Sequence, residues 1–85
     1  HSGSLIGHDS TMGDHNFIAA HVVLGSNCLV GNANFFGINS CFNNYLSIGD
    51  NCFVGMASNV VKSITNGTKV YGNPAKPFDR PFKPL

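Results

Sequence analysis

An apolar residue recurs at every sixth position over most of the chain. The register is unbroken at Ile6, Met12, Ile18, Leu24, Val30, Phe36, Phe42, Ile48, Val54 and Val60. An amphipathic helix cannot produce this spacing, because six is not a multiple of its period of about 3.6 residues. A period of six, with one short strand and one corner per unit, is typical of a parallel β-helix. We therefore expect an all-β fold in which the register residues point inward.

Two further positions of the repeat support the same fold. The residue after the register position is glycine at positions 7, 13, 25, 31, 37, 49 and 55. Glycine tolerates unusual backbone angles, so this position is predicted to form the turn. The residue two before the register position is mostly small, and it shares a strand face with the register residue. An antiparallel barrel with accidental six-residue spacing is the less favoured alternative.

Composition limits the function classes. A chain of 85 residues is one domain at most, and its core is small enough that a partner is expected to stabilise it. Charged residues make up 11% of the chain and the net charge is +1, which gives no basic surface for nucleic acid. No segment has the length of a membrane span or the organisation of a signal peptide. Three cysteines without metal-ligand spacing predict reduced thiols and a cytoplasmic protein.

Three short motifs resemble one enzyme family. They are Gly7-His8-Asp9 followed by Met12-Gly13-Asp14, the segment 35–41 (FFGINSC), and the segment 70–76 (VYGNPAK). Together they resemble the hexapeptide-repeat sugar acetyltransferases, of the NeuD-like sialic acid O-acetyltransferase and bacillosamine N-acetyltransferase type. The resemblance spans residues 3–77.

The resemblance implies a left-handed β-helix in which three hexapeptides close a triangular coil of 18 residues. The register then predicts a little over three coils in residues 1–64. Residues 65–85 are predicted to hold a final strand at residues 69–71, a loop and an extended, proline-rich C-terminal tail. Enzymes of this type usually carry an N-terminal α/β domain for the sugar nucleotide. No such segment is present in the sequence, so we expect this chain to be the cofactor-binding part of a longer enzyme.

The same resemblance assigns roles to individual residues. His8 corresponds to the catalytic base, and Asp9 to its acidic neighbour. Imidazole titrates near neutral pH, and a carboxylate stabilises the imidazolium that forms when an amine or hydroxyl loses its proton. Phe17, Ile38 and Met56 correspond to positions that contact acetyl-CoA.

Two lysines are candidates for the CoA phosphates. Lys69 and Lys76 each present a positive charge beside the last coils, although solvated tail lysines are an equal alternative.

Grouping the outward residues by 18 gives one aromatic column. Phe17, Phe35 and Phe53 fall on one face, where three exposed rings would form an apolar stripe. We expect this face to be the boundary between subunits of a homotrimer. Packing of the chain's own tail on the stripe is the alternative.

These features predict direct acetyl transfer from acetyl-CoA to an amino or hydroxyl group of a sugar or nucleotide-sugar, with no metal. A non-catalytic trimerisation scaffold is one alternative. A zinc-dependent protein of the γ-class carbonic anhydrase type is another, although the ligand pair five residues apart that marks that class is absent. Cys41 points outward, but a thiol nucleophile is disfavoured because Cys41 lies nearly two coils from His8.

Overall fold

The computed structural model describes residues 3–78, and every regular element in that range is a β-strand. The strands are β1 (Leu5–Ile6), β2 (Thr11–Met12), β3 (Phe17–Ile18), β4 (Val23–Leu24), β5 (Leu29–Val30), β6 (Phe35–Phe36), β7 (Cys41–Phe42), β8 (Ser47–Ile48), β9 (Phe53–Val54), β10 (Asn59–Val60), β11 (Lys69–Tyr71) and β12 (Lys76–Pro77). No helix in this range is long and apolar enough to cross a membrane. The cytoplasmic location stays a prediction.

Every third strand joins the same sheet. The first sheet has the order β1-β4-β7-β10, the second β2-β5-β8, and the third β3-β6-β9-β11-β12. Pairing is parallel and 18 residues apart, as between Leu5 and Val23 or between Thr11 and Leu29. Three strands therefore make one coil, and the predicted left-handed parallel β-helix with 18-residue coils is confirmed.

A shortened unit adds a coil beyond the unbroken register. Ile64 bridges to Ile48, and Lys69 pairs with Phe53, so both steps are 16 residues instead of 18. The apolar register resumes at Ile64 and Val70 after two residues are omitted. The helix thus has about four coils, because the stacking continues where the six-residue period stops.

The register residues fill the interior of the prism. Phe36 and Phe42 are buried and in contact, with ring centroids 4.5 Å apart and planes tilted by 43°. This confirms the prediction that these two large residues are neighbours. The small-residue position two before the register is also interior, as the buried Cys28, Ser40 and Ser58 show.

The corners differ from the prediction for glycine. One residue per corner has a left-handed backbone with φ between 56° and 62°, and it lies three positions after the register residue. These residues are Asp9, His15, His21, Asn27, Ala33, Asn39, Tyr45, Asn51 and Ala57. The glycines one position after the register are needed for a different reason. A Cβ on Gly37 would lie 2.6 Å from the backbone nitrogen of Met56, so glycine permits close contact between coils.

The described part of the C-terminal tail lies across the last coil. β12 pairs antiparallel with β11, and the Phe78 N–H donates to the Lys69 carbonyl oxygen at 2.9 Å. The loop before β12 covers the end of the first sheet, because the Asn59 N–H donates to the Gly72 carbonyl oxygen at 2.9 Å. Most of the proline-rich tail, residues 79–85, lies outside the described residues. The division of the chain at residue 64 stays a prediction.

Candidate functional site

The coils meet at three edges, which we number by position. The first edge joins the first and second sheets and contains residues 7–10 and their equivalents 18 and 36 residues later. The second edge contains residues 13–16, and the third edge, between the third and first sheets, contains residues 19–22. These names locate every candidate residue.

An apolar groove of about 580 Å³ runs along the third sheet and the third edge. Its lining residues come from four successive coils: Phe17, Ala19, Phe35, Gly37, Ile38, Phe53, Gly55, Met56, Tyr71 and Phe78. Strands stack about 4.8 Å apart, so four coils give the groove a length of roughly 14 Å along the coil axis. The groove can hold a long, narrow and mostly apolar molecule.

The aromatic column forms one wall of this groove. Phe17 and Phe35 stack with ring centroids 5.1 Å apart and planes 6° apart, and Phe35 and Phe53 stack at 5.2 Å and 5°. Phe78 meets Phe53 edge-on at 6.4 Å. The chain's own tail therefore contacts the C-terminal end of the column, while Phe17 and Phe35 remain exposed in the single chain.

Ile38 and Met56 form the opposite side of the groove. Each follows a glycine on the third edge, and each is exposed, Met56 to 60%. Gly37 and Gly55 have no side chain, so the groove between the two walls stays open. The sequence assigned the phenylalanine column to a subunit boundary and Ile38 and Met56 to a cofactor. The structure brings both sets into one groove.

Both candidate lysines lie at the C-terminal end of the groove. Lys76 lines a smaller adjoining cavity of about 290 Å³ together with Tyr71, Pro77 and Phe78. Tyr71 and Phe78 also line the main groove, so the two cavities are continuous in their walls. Lys69 pairs with Phe53 and continues the outward column of the third sheet.

His8 and Asp9 occupy the first edge, directly after β1. His8 Nδ1 and Asp9 Oδ2 are 3.0 Å apart, and the two side chains are 80% and 70% exposed. The corner is fixed from the next coil, because the Asn27 N–H donates to the His8 carbonyl oxygen at 3.0 Å. Neither residue lines the groove. Within one chain, the structure does not bring this pair together with Phe17, Ile38 and Met56.

The cysteines and other histidines form no second cluster. Cys28 and Cys52 are buried and donate to the carbonyl oxygens of Asn43 and Thr65, at 3.2 Å and 3.1 Å. Cys41 is exposed on β7. Within residues 3–78, no three His, Cys, Asp or Glu side chains are grouped so that they could hold a metal ion.

Sequence reasoning missed two aromatic residues of the groove. Tyr71 was hidden by the shortened unit, which shifts it out of the 18-residue count. Phe78 lies in the tail, where no periodicity indicates a face. The resumed register at Ile64 and Val70 was the available signal for Tyr71.

Comparison with known proteins identifies structural relatives. No protein-family model and no curated protein matches the sequence. A mutant of perosamine N-acetyltransferase from Caulobacter crescentus, crystallised with CoA and GDP-perosamine, aligns with a TM-score of 0.91 at 22% identity, over 94% of this chain and 38% of that chain. AntD, an N-acyltransferase from Bacillus cereus crystallised as a mutant with dTDP-4-amino-4,6-dideoxyglucose and coenzyme A, aligns with a TM-score of 0.82 at 15% identity, over 91% and 56%.

A third relative has a more distant fit. The acetyltransferase domain of PglB from Neisseria gonorrhoeae aligns with a TM-score of 0.57 at 19% identity, over 89% of this chain and 52% of that domain. At these identities the likeness establishes a shared fold. The chain spans between about a third and a little over half of the length of these relatives. Assignment to the NeuD-like type stays a prediction.

Proposed function

We propose that this chain is the donor-binding part of an acetyl-CoA-dependent acetyltransferase that acts on an amino or hydroxyl group of a sugar or nucleotide-sugar. One observation carries the proposal. Phe17, Ile38 and Met56, assigned to the donor from sequence motifs, line a single apolar groove along the coil axis. Structural relatives with the same fold were crystallised with CoA and a nucleotide-sugar.

The groove suits the pantetheine arm of acetyl-CoA. The arm is long, flexible and largely apolar, and it would lie between the phenylalanine column and the line formed by Ile38 and Met56. Lys76 at the C-terminal end would attract the phosphates of the nucleotide part. The thioester end would then point toward the first coil, the level of Phe17 and of His8.

His8 is suited to act as the general base. Asp9 accepts a hydrogen bond from Nδ1 when that nitrogen carries the proton, which leaves the lone pair of Nε2 available. Nε2 would accept the proton of the acceptor's amine or hydroxyl as that group attacks the thioester carbon. The C–S bond then breaks, and the CoA sulfur leaves as a thiolate that takes up a proton. No covalent intermediate on the protein is required.

The complete site requires a second copy of the chain. His8 lies on the first edge and the donor residues lie on the third sheet and third edge, so one chain cannot bring them together. In a homotrimer with parallel coil axes, the first edge of one copy can lie beside the groove of the next. Covering the exposed phenylalanine column by a neighbouring copy also removes apolar surface from water.

Calorimetric titration with acetyl-CoA tests the donor site. The full chain should bind acetyl-CoA, and Met56→Ser should weaken binding by roughly tenfold because it removes one wall of the groove. Leu29→Ser is the matched control, since Leu29 is 58% exposed but lies on the second sheet. A chain that binds no acetyl-CoA would support the trimerisation scaffold and overturn the proposal.

Substitution of the base tests the chemistry. His8→Ala should lower kcat by roughly 10²- to 10⁴-fold while acetyl-CoA binding is kept, because the base acts only on the acceptor's proton. His15→Ala is the control, since His15 occupies an exposed corner on the second edge. Retained turnover in His8→Ala would contradict the assignment of the base.

A further inference from the structure

Tyr45 is the most exposed of the large hydrophobic side chains in residues 3–78, at 76%. It occupies a corner of the third coil, between β7 and β8. Its backbone has φ of 62°, in the left-handed region. A bulky residue is uncommon at such an angle, because its Cβ crowds the following carbonyl.

The local structure does not account for a tyrosine at this position. The eight equivalent corners hold Asp, His, Asn or Ala, residues that are short or that tolerate this conformation. An aromatic ring that is both exposed and held by an unfavourable backbone angle contributes little to the stability of its own chain. Such outliers point to a contact made outside the chain.

Tyr45 lies on the same edge as the His8–Asp9 pair. Asp9, Asn27 and Tyr45 are equivalent positions in three successive coils, joined by backbone hydrogen bonds. The Asn27 N–H donates to the His8 carbonyl oxygen, and the Tyr45 N–H donates to the Ser26 carbonyl oxygen, both at 3.0 Å. Two coil spacings place Tyr45 about 10 Å from Asp9 toward the C-terminal end.

Symmetry fixes what this edge meets in a neighbouring copy. A rotation about an axis parallel to the coils leaves the height of every residue along that axis unchanged. If His8 of one copy serves the groove of the next at the level of Phe17, the first coil, then Tyr45 reaches the same groove at the level of the third coil. The groove residues of that coil are Phe53, Gly55 and Met56.

We propose that Tyr45 of one copy closes the groove of the next copy over the pantetheine arm of acetyl-CoA, opposite Met56. This inference rests on the proposed function. An aromatic ring fits an apolar chain on one side and a thioether on the other, since sulfur–aromatic and apolar contacts are both favourable. Tyr45 is then a donor-binding residue supplied in trans, and it has no part in proton transfer at His8.

Tyr45→Asn tests the role in binding, because asparagine suits the left-handed corner and already occupies it at Asn27, Asn39 and Asn51. In the full chain, the Kd for acetyl-CoA should rise about tenfold, a loss in the range of one aromatic contact with its buried area. The kcat at saturating donor should change little, and Tm should not fall. Tyr45→Phe should bind as the native chain does, and Asn51→Ala is the corner control. An unchanged Kd, or a change confined to the KM of the sugar acceptor, would overturn the proposal.

Cross-linking tests the placement independently of activity. In a Cys41→Ser background, Tyr45→Cys combined with Met56→Cys should join copies through a short bis-maleimide, whereas Asn51→Cys with Met56→Cys should not. Cross-linking without any effect of Tyr45→Asn on acetyl-CoA would make Tyr45 a subunit contact only and overturn the donor role. If the native chain binds no acetyl-CoA at all, the proposed function itself fails. If it binds but Tyr45→Asn binds equally, only this inference fails.

Discussion

Each corner of the helix divides two demands between two residues. The left-handed angle falls on the third residue after the register position, and several residue types accept it. The demand for glycine falls two residues earlier, where the next coil leaves no room for a side chain. At Gly25, a Cβ would lie 2.7 Å from the backbone carbon and oxygen of Asn43. Backbone atoms of a stacked coil cannot move aside as a flexible side chain can.

Gly25→Ala should therefore lower the free energy of unfolding by about 3 kcal/mol, the range for a buried overpacking. Asn27→Ala, at the left-handed position of the same corner, should lower it by only about 1 kcal/mol, since Ala33 and Ala57 already occupy equivalent corners. Urea unfolding at a fixed protein concentration measures both. A larger loss in Asn27→Ala than in Gly25→Ala would contradict this division of roles.

At the scale of elements, the coils are held together by side-chain oxygens as well as by strand pairing. The Asn34 N–H donates to Asn16 Oδ1 at 2.9 Å, and the Cys52 N–H donates to Asn34 Oδ1 at 2.7 Å. Ser10 Oγ has the same role for the Cys28 N–H at 3.0 Å. These bonds satisfy interior corner N–H groups, whose burial without a partner would be unfavourable.

Asn34→Ala should lower the free energy of unfolding by about 2 kcal/mol, because it leaves the Cys52 N–H buried without an acceptor. Asn34→Ser should cost much less, since a hydroxyl can replace the acceptor as it does at Ser10. It also removes Asn34 Nδ2, a buried donor with no partner among the described residues. Denaturant unfolding of the two variants gives the comparison, and equal losses would show that the hydrogen bond is not the cause.

At the scale of the whole molecule, the groove and the His8 edge are complementary halves on different sides of one prism. The exposed part of the phenylalanine column lines the groove, so the predicted subunit boundary and the predicted donor site coincide. The two sequence-based interpretations of the phenylalanines are thus compatible. A neighbouring edge and the donor can cover the same stripe together.

The chain should sediment as a trimer. Phe35→Asp should shift it toward the monomer, because a charge in the middle of the column opposes burial of that face. Ser47→Asp adds the same charge at an outward position of the second sheet and should leave the trimer intact. Analytical ultracentrifugation measures both variants. A stable monomer of the native chain would refute the subunit boundary and, with it, the placement of Tyr45.

The sequence by itself determined the period, the inward residues and the outward column, because each depends only on strand alternation and on a fixed number of residues per coil. Phe36 beside Phe42 and the stacked Phe17, Phe35 and Phe53 follow from that count. Its limits are equally physical. The omitted pair of residues before Ile64 broke the count without breaking the stack, and glycine was credited with a backbone angle when close packing between coils required it.

Only the tertiary structure decided which surfaces are joined and which are separated. Counting by six places Ile38 beside the third sheet, but only the folded coils show that it faces the phenylalanines across a groove closed at one end by Tyr71 and Phe78. The separation of His8 from that groove also appears only in three dimensions, because it depends on which edge each corner occupies. Residue spacing gives heights and faces, whereas the distances between edges arise from the closed shape of the coil.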